Sequence, residues 1–267
     1  MPVSSLRSQV ERLSARVDKL CYTPPVWECP NPVELARQAG IELDDWQRAV
    51  CESRAPRVAC NVSRQLGKST VGAILGMHKA YSTPGSLTVV ISPSLNQSSE
   101  LALKCKSLHA RLGRPIRAMR ESVLSIHLAN GSRVVCVPGT EDTSRGYSPD
   151  LIIIDEAARL EDPTWFSLTP MVSVSGGRII TLSTPRFEIG WWWDAITHHR
   201  ESWAYWEVPA SSCGRVDPAF LESEKESMGE LFYGMEYECR FGQGAGQCFR
   251  SEDIEKIIKD SVVPWNL

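Results

Sequence analysis

The sequence has no long apolar run. The longest, "LIIIDEAA" from Leu151, meets charge far short of the eighteen or so residues that a membrane-spanning helix requires, so no such span is expected. The first twenty residues carry Arg7, Glu11, Arg12, Arg16, Asp18 and Lys19 without an apolar central block, which argues against a secretory leader and for a cytoplasmic protein. Paired cysteines are missing too. The nine cysteines are odd in number and include no Cys-x-x-Cys, a pattern that fits reduced, packed thiols better than a disulfide framework or a zinc site. An overall basic excess is also lacking, for the net charge is -3. That total hides an asymmetry: residues 1–150 hold 19 Lys and Arg against 13 Asp and Glu, and residues 151–267 hold 10 against 19. A polyanionic partner should therefore meet the first part of the chain.

The 267 residues suffice for one sizeable core with a small appended subdomain. Leu6, Val10, Leu13, Val17 and Leu20 form one helical stripe, and "YTPPVWECPNP" reads as an extended linker, so residues 1–45 are expected to be an N-terminal helix and a proline-rich connection. From Arg57 onward β-branched runs alternate with helical stretches. "RVACNV", "SLTVVISP", "LIIID" and "GRIITLSTP" read as strands, "GKSTVGAILGMHKAYS" and "NQSSELALKCKSLHARL" as helices, and "SVLSIHL", "ANG" and "SRVVCVPG" as a hairpin. This predicts an α/β fold over residues 46–210, with a largely parallel sheet flanked by helices. After Pro209 the chain turns acidic and helix-rich, with "DPAFLESEKESM", "GELFYGMEYECRF" and, at residues 251–260, "SEDIEKIIKD" reading as helices, which suggests a small helical lid or linker subdomain over residues 211–267.

Loops at the carboxyl ends of parallel strands are where ligands bind, and three motifs fall there. "SRQLGKST" follows a strand and opens a helix, the context in which helix-start amides and a lysine converge on phosphate. Lys68 would reach the β- and γ-phosphates, Ser69 would hold Mg²⁺ through its hydroxyl, and Gly67 would permit close backbone approach. One feature is irregular: the usual first glycine of a phosphate loop is replaced by Val62. In "PDLIIIDEAARL" a buried strand ends in adjacent carboxylates, a Walker B arrangement in which Asp155 supports the metal and Glu156 deprotonates water; the bland alternative is a helix cap at Asp155. "LSTPR" sets Ser183 and Thr184 at the end of the next strand, where they can sense a γ-phosphate, or simply end the strand in a turn. Upstream, "LDDWQ" offers Trp46 to stack on adenine and Gln47 to bond its edge, although a tryptophan is more often core.

These four stretches, in this order, resemble the ATPase domain of the large terminase subunit, the motor that packages DNA into tailed phage and herpesvirus capsids. The resemblance extends to "DEAA", "RGYSPD" and the "MEYECRF" near the end of the domain. In that family the phosphate loop commonly carries an arginine and lacks the regular first glycine, which removes the objection at Val62. The resemblance implies a P-loop NTPase of the RecA-like, additional-strand catalytic glutamate type. It implies nucleotide contacts from Trp46, Gln47, Arg64, Gln65, Gly67, Lys68, Ser69 and Thr70, and ATP and Mg²⁺ as substrate and cofactor. It also implies transition-state charge from Arg64 in its own subunit or from Arg145 of "TSRGYSPD" reaching a neighbour. Implied partners are double-stranded DNA, a capsid portal protein and a small terminase subunit, with a homo-oligomeric ring on assembly, a monomer in isolation, and a soluble life in the host cell cytoplasm.

A terminase normally continues into an RNase H-like nuclease, for which "SVVPWNL" leaves no room; an isolated motor without nuclease activity is the expectation. Two rival readings are a superfamily 2 helicase-like translocase, which needs a second RecA-like lobe, and a non-hydrolysing nucleotide-binding scaffold, which has no use for Glu156. For DNA or subunit contact, Lys104, Lys106, Arg111, Arg114, Arg117 and Arg120 stand out, with no acidic residue among them. The aromatics of "WWWDAITHHRESWAYW" read as packing, and His198 and His199 as polar surface.

Overall fold

The computed structural model describes residues 27–140 and 146–243. The stripe at residues 6–20, Arg145 and the helix expected at residues 251–260 lie outside the described residues.

Helix α1 (Pro32–Gln38) and helix α2 (Asp45–Glu52) precede strand β1 (Arg57–Val62), and helix α3 (Lys68–Ser82) leads to strand β2 (Leu87–Ser92) and helix α4 (Leu95–Arg111). Strands β3 (Ala118–Ser122), β4 (Ser125–Leu128) and β5 (Arg133–Pro138) follow, then β6 (Leu151–Asp155), helix α5 (Asp162–Leu168), β7 (Arg178–Ser183), helix α6 (Trp191–Thr197), β8 (Ala204–Val208) and helix α7 (Pro218–Tyr237). All eight strands form one sheet in the order β3-β4-β5-β2-β6-β7-β1-β8. Only β4 runs against the others, through antiparallel pairing with β3 and β5, so the expected β4–β5 hairpin is present within a mainly parallel sheet. Strand β7 is inserted between β6 and β1, which is the additional strand of the fold class expected above.

The inner strands are apolar on both faces, as a sheet covered on both sides demands. Strands β2 and β6 are buried at every position. One core, with Leu35, Val50, Ile74, Met77, Leu101 and Ile153, lies beneath α1–α4; the other, with Ile152, Ile154, Leu168 and Ile179, lies beneath α5 and α6. The tryptophan cluster belongs to the second core. Trp165 and Trp191 stack with centroids 4.1 Å apart, and Trp191 Nε1 donates to the Leu160 carbonyl at 2.9 Å, so packing is its role in the fold. His198 and His199 are exposed, and His198 Nδ1 lies 3.2 Å from Asp194 Oδ1.

Three elements depart from the sequence reading. Residues 32–38, read as part of a linker, form α1; Asn31 caps it by accepting from Glu34 N at 2.9 Å, and Leu35 and Ala36 are fully buried. Strand β3 leaves no apolar alternation to read, because its residues are almost all exposed. Strand β8, within the tryptophan-rich stretch, completes the sheet edge beside β1. Beyond it, α7 turns sharply at Gly229 (φ 77°), where only glycine is comfortable, so the two helices read from "DPAFLESEKESM" and "GELFYGMEYECRF" run on through one bend.

Helix α3 lies close to the sheet because Gly72 and Gly76 face it. A Cβ at either would touch Ile153, at 3.4 Å and 3.5 Å respectively. Ile153 therefore packs directly against the glycine face of α3. Ile153→Ala should cost about 2–5 kcal/mol, measurable as a lowered urea midpoint with unchanged slope.

Candidate active site

Strands β6, β7 and β1 are adjacent and parallel, with Asp155 in register with Leu182, and Asn61 with Ser183. Their carboxyl ends thus emerge side by side, and the three motifs with them. The loop after β1 puts Gln65 at φ 64° and Gly67 at φ 83° before α3 begins at Lys68. Val62 itself is the last residue of β1, fully buried and paired with Val208. Extended backbone at that position needs no glycine; the left-handed turns come later, which accounts for the irregular motif. At Gly67 a Cβ would stand 2.6 Å from Gln47 Nε2 and 3.8 Å from Arg215 Nη1.

Lys68 is buried at 7% exposure, and its Nζ donates to the carbonyls of Val62 and Ser63, each at 3.0 Å. Burial lowers its pKa. Ser69 Oγ donates to Asp155 Oδ2 at 2.8 Å, joining elements 86 residues apart. The second oxygen, Oδ1, is buried without a hydrogen-bond partner, and burial pushes the Asp155 carboxyl above its usual range. Asp155 does not cap a helix: Glu156 holds that position, in front of the short 3₁₀ turn Ala157–Arg159. Glu156 adopts φ 58°, ψ 47°, a left-handed conformation costly for a side chain of this kind and characteristic of functional turns. Its Oε2 accepts from Thr184 Oγ1 at 3.5 Å and lies 3.6 Å from Arg159 Nε. Ser183 Oγ accepts from Ala158 N at 2.9 Å and donates to the Thr184 carbonyl at 2.7 Å, tying the end of β7 to the turn that carries Glu156.

The loop is braced from both sides. Gln47 Oε1 accepts from Asp44 N at 2.9 Å, and its Nε2 donates to the Leu66 carbonyl at 3.1 Å, leaving one N–H and one lone pair of the amide for a ligand. From the other side, the Glu236 carbonyl at the end of α7 accepts from Arg64 N at 2.9 Å and from Ser63 Oγ at 3.1 Å, while Arg64 Nε lies 3.4 Å from Glu236 Oε2. Glu236 and Asn61, whose Nδ2 donates to the Cys239 carbonyl at 2.9 Å, were not among the residues read from sequence. Their only local signal was their place in "MEYECRF" and at the end of β1.

Beside the loop opens a cavity of about 360 Å³, lined by Gln47, Thr70, Ile74, Lys104, Arg111 and Arg215 among others. Trp46 is not brought to it. Its ring is buried in the core beneath α1–α4, and it borders a separate cleft with Trp206. Adjacent helical residues point about 100° apart, so burying Trp46 turns it away from the cavity that Gln47 lines. The six basic residues do not act as one face either. Lys104 and Arg111, seven apart on α4, line the cavity; Lys106 Nζ donates to the Ser122 and Val123 carbonyls; Arg114, Arg117 and Arg120 lie beyond the helix. Among the described residues no group of three or more His, Cys, Asp or Glu forms a metal cluster, and no helix is long and apolar enough to cross a membrane.

The family model described as terminase large subunit, T4likevirus-type, N-terminal, matches residues 59–256. The chain belongs to this family. The large terminase subunit of Thermus virus P23-45 is 24% identical over 194 residues, 65% of this chain and 40% of that protein, and that of Thermus phage G20c is 23% identical over the same length. The chain thus spans about 40% of the length of the curated relatives it matches. Among solved structures, the ATPase domain of the Thermus phage P74-26 large terminase superposes with a TM-score of 0.69 at 18% identity, over 78% of this chain and 97% of that one. A large terminase from a thermophilic bacteriophage, solved in complex with ADP, gives 0.58 at 12% identity, over 80% and 53%. The helicase and scaffold readings are not favoured by these relationships.

The raised Asp155 pKa carries a linkage consequence. The unfolded carboxyl ionises near pH 4, whereas the folded one holds its proton to higher pH, so this group's contribution to stability is lost as pH rises through the folded value. Asp155→Asn removes that loss. Nucleotide-free Asp155→Asn should be more stable than wild type in urea at pH 7, and the gap should shrink as pH falls toward 4.

Proposed function

We propose that this chain is the ATPase part of a large terminase subunit, hydrolysing ATP to drive double-stranded viral DNA into a capsid, with residues 46–210 as the catalytic core and residues 211–267 as a lid. The observation that carries this reading is the convergence of Lys68, Ser69, Asp155 and Glu156, brought together across β7 by the 2.8 Å Ser69–Asp155 bond.

A hard divalent cation takes oxygen ligands and is well matched by a hydroxyl beside a buried carboxylate with a free oxygen. Ser69 and Asp155 would hold Mg²⁺, which when bound offsets charge on the phosphate oxygens. Lys68 exchanges its two carbonyl partners for phosphate. Glu156, steadied by Thr184 and Arg159, orients the attacking water and accepts its proton. Ser183 and Thr184 transmit the change at the phosphate to β7. Arg64 supplies charge in its own subunit, and Arg145 does so in trans within an assembled ring. The portal protein and small terminase subunit are the remaining partners of this reading. Arg114, Arg117 and Arg120 remain the candidates for DNA or subunit contact, and Lys106 assists them less because its amine already has two carbonyl partners.

Three measurements test the assignment. Glu156→Gln keeps the side-chain shape but cannot take the proton, so ATP binding should stay within about twofold while turnover falls by at least about 10²-fold. Equal loss of both would remove Glu156 from the role of base. Lys68→Ala should instead abolish binding, and normal hydrolysis by that variant would exclude this loop as the site. Mixing Arg145→Ala subunits, whose sites are otherwise intact, with Glu156→Gln subunits, whose arginines are intact, should restore part of the activity; no recovery under assembling conditions would end the trans assignment.

A further inference from the structure

The cavity beside the phosphate loop is the natural place for the base and ribose of a nucleotide. It borders Thr70, two residues beyond Lys68, so a ligand with its phosphates at Gly67–Ser69 extends into it. Its walls include Ile41, Ile74 and Leu108, which suit an apolar ring, yet no aromatic side chain is among its lining residues. Trp46 is committed to the core. The face of a base therefore needs a different flat partner, and the cavity contains two guanidinium groups, Arg111 and Arg215.

Of these, Arg215 is the one held in place. Its Nε lies 2.6 Å from Asp44 Oδ2, and its Nη1 reaches to 3.8 Å of the point above Gly67 where a Cβ would stand, next to Gln47. Asp44 is in turn fixed by donating its N–H to Gln47 Oε1. The planar cation thus stands directly over the phosphate loop and beside the amide that faces the cavity. Guanidinium planes stack on nucleobases, and an arginine already paired with a carboxylate loses less freedom in doing so. Arg111 has no ion-pair partner among those found for the described residues and is exposed at the end of α4, so it offers charge without a fixed plane.

We propose that Arg215 is the base-contacting residue of this site, its guanidinium stacking on the purine while Gln47 faces the ring edge. The assignment rests on the ATPase reading above and adds to it the residue that distinguishes a nucleotide from a bare phosphate chain. Because Arg215 lies just before α7, whose end also bonds Ser63 and Arg64, base and phosphates contact the same C-terminal segment.

Calorimetric titration of the full chain with ATP and, separately, with inorganic tripolyphosphate, both in Mg²⁺, tests this. Arg215→Ala should weaken ATP binding about tenfold, the loss expected for one stacked base, and leave tripolyphosphate binding within about twofold. Arg215→Lys keeps the charge and loses the plane, so it should bind ATP as weakly as the alanine variant. Unchanged ATP affinity, an equal loss for both probes, or full rescue by lysine would each overturn the assignment. If the alanine variant fails to fold, the lysine variant, which retains a cation for Asp44, decides the matter alone. A wild-type chain that binds tripolyphosphate but gains nothing from the nucleoside overturns the Arg215 assignment only; one that binds neither probe overturns the proposed function itself.

Discussion

Everything at this site depends on one hydrogen bond across the sheet, from Ser69 at the start of α3 to Asp155 at the end of β6. The strand between them, β7, sets the span. Parallel pairing aligns the three strand ends, so the phosphate loop, the carboxylates and the Ser-Thr-Pro turn share one level without any long loop having to bring them together. An antiparallel neighbour would reverse β7 and move Ser183 and Thr184 to the far end of the sheet. The additional strand therefore sets Ser183 beside the turn that carries Glu156.

The site is held in a poor electrostatic state. A carboxylate oxygen is buried without a hydrogen-bond partner, burial raises the Asp155 pKa, and burial lowers that of Lys68. Buried polar groups left without partners are costly, and the fold supports them because the surrounding strands are packed on both faces. Lys68 limits its own cost by donating to Val62 and Ser63. Those two carbonyls stand at the end of β1 and the start of the loop, so the interaction that stabilises the lysine also ties the loop to its strand. A substitution at Asp155 that removes the buried charge would relieve this cost.

The sheet and its three motifs were legible in the sequence because apolar strands ending in chemistry leave a pattern that survives without tertiary knowledge. The β4–β5 hairpin was legible for a similar reason, its turn residues "ANG" falling between two alternating runs. Strand β3 was not, since "AMRES" is an edge strand with no buried side to mark it. Trp46 and Gln47 show a different limit. One residue apart on α2, they share the same local sequence context, and only the direction in which the helix packs on its core decides which of them faces the cavity. The basic run shows a further limit: helical spacing groups Lys104 with Arg111 and separates both from Lys106, an angle that a count of charges does not carry. Arg215 left no sequence signal at all, being an isolated arginine in an acidic stretch.

Arg64 illustrates why the irregular loop and the C-terminal segment belong together. Its backbone N–H is bound to the Glu236 carbonyl, its guanidinium approaches the carboxylate of the same residue at 3.4 Å, and the side chain is still 58% exposed. An exposed ion pair of this length contributes little to stability, so the guanidinium is easily released, whereas the backbone bond keeps its anchor fixed. On the proposed reading, a phosphate at the loop competes with Glu236 for the same cation. The anionic loser of that exchange sits at the end of α7, beside Cys239, whose carbonyl is bound by Asn61 of β1. On the proposed reading Arg64 therefore has a second role: a phosphate that draws its guanidinium loosens the pairing with Glu236, while the Arg64 N–H bond to the Glu236 carbonyl keeps the loop anchored.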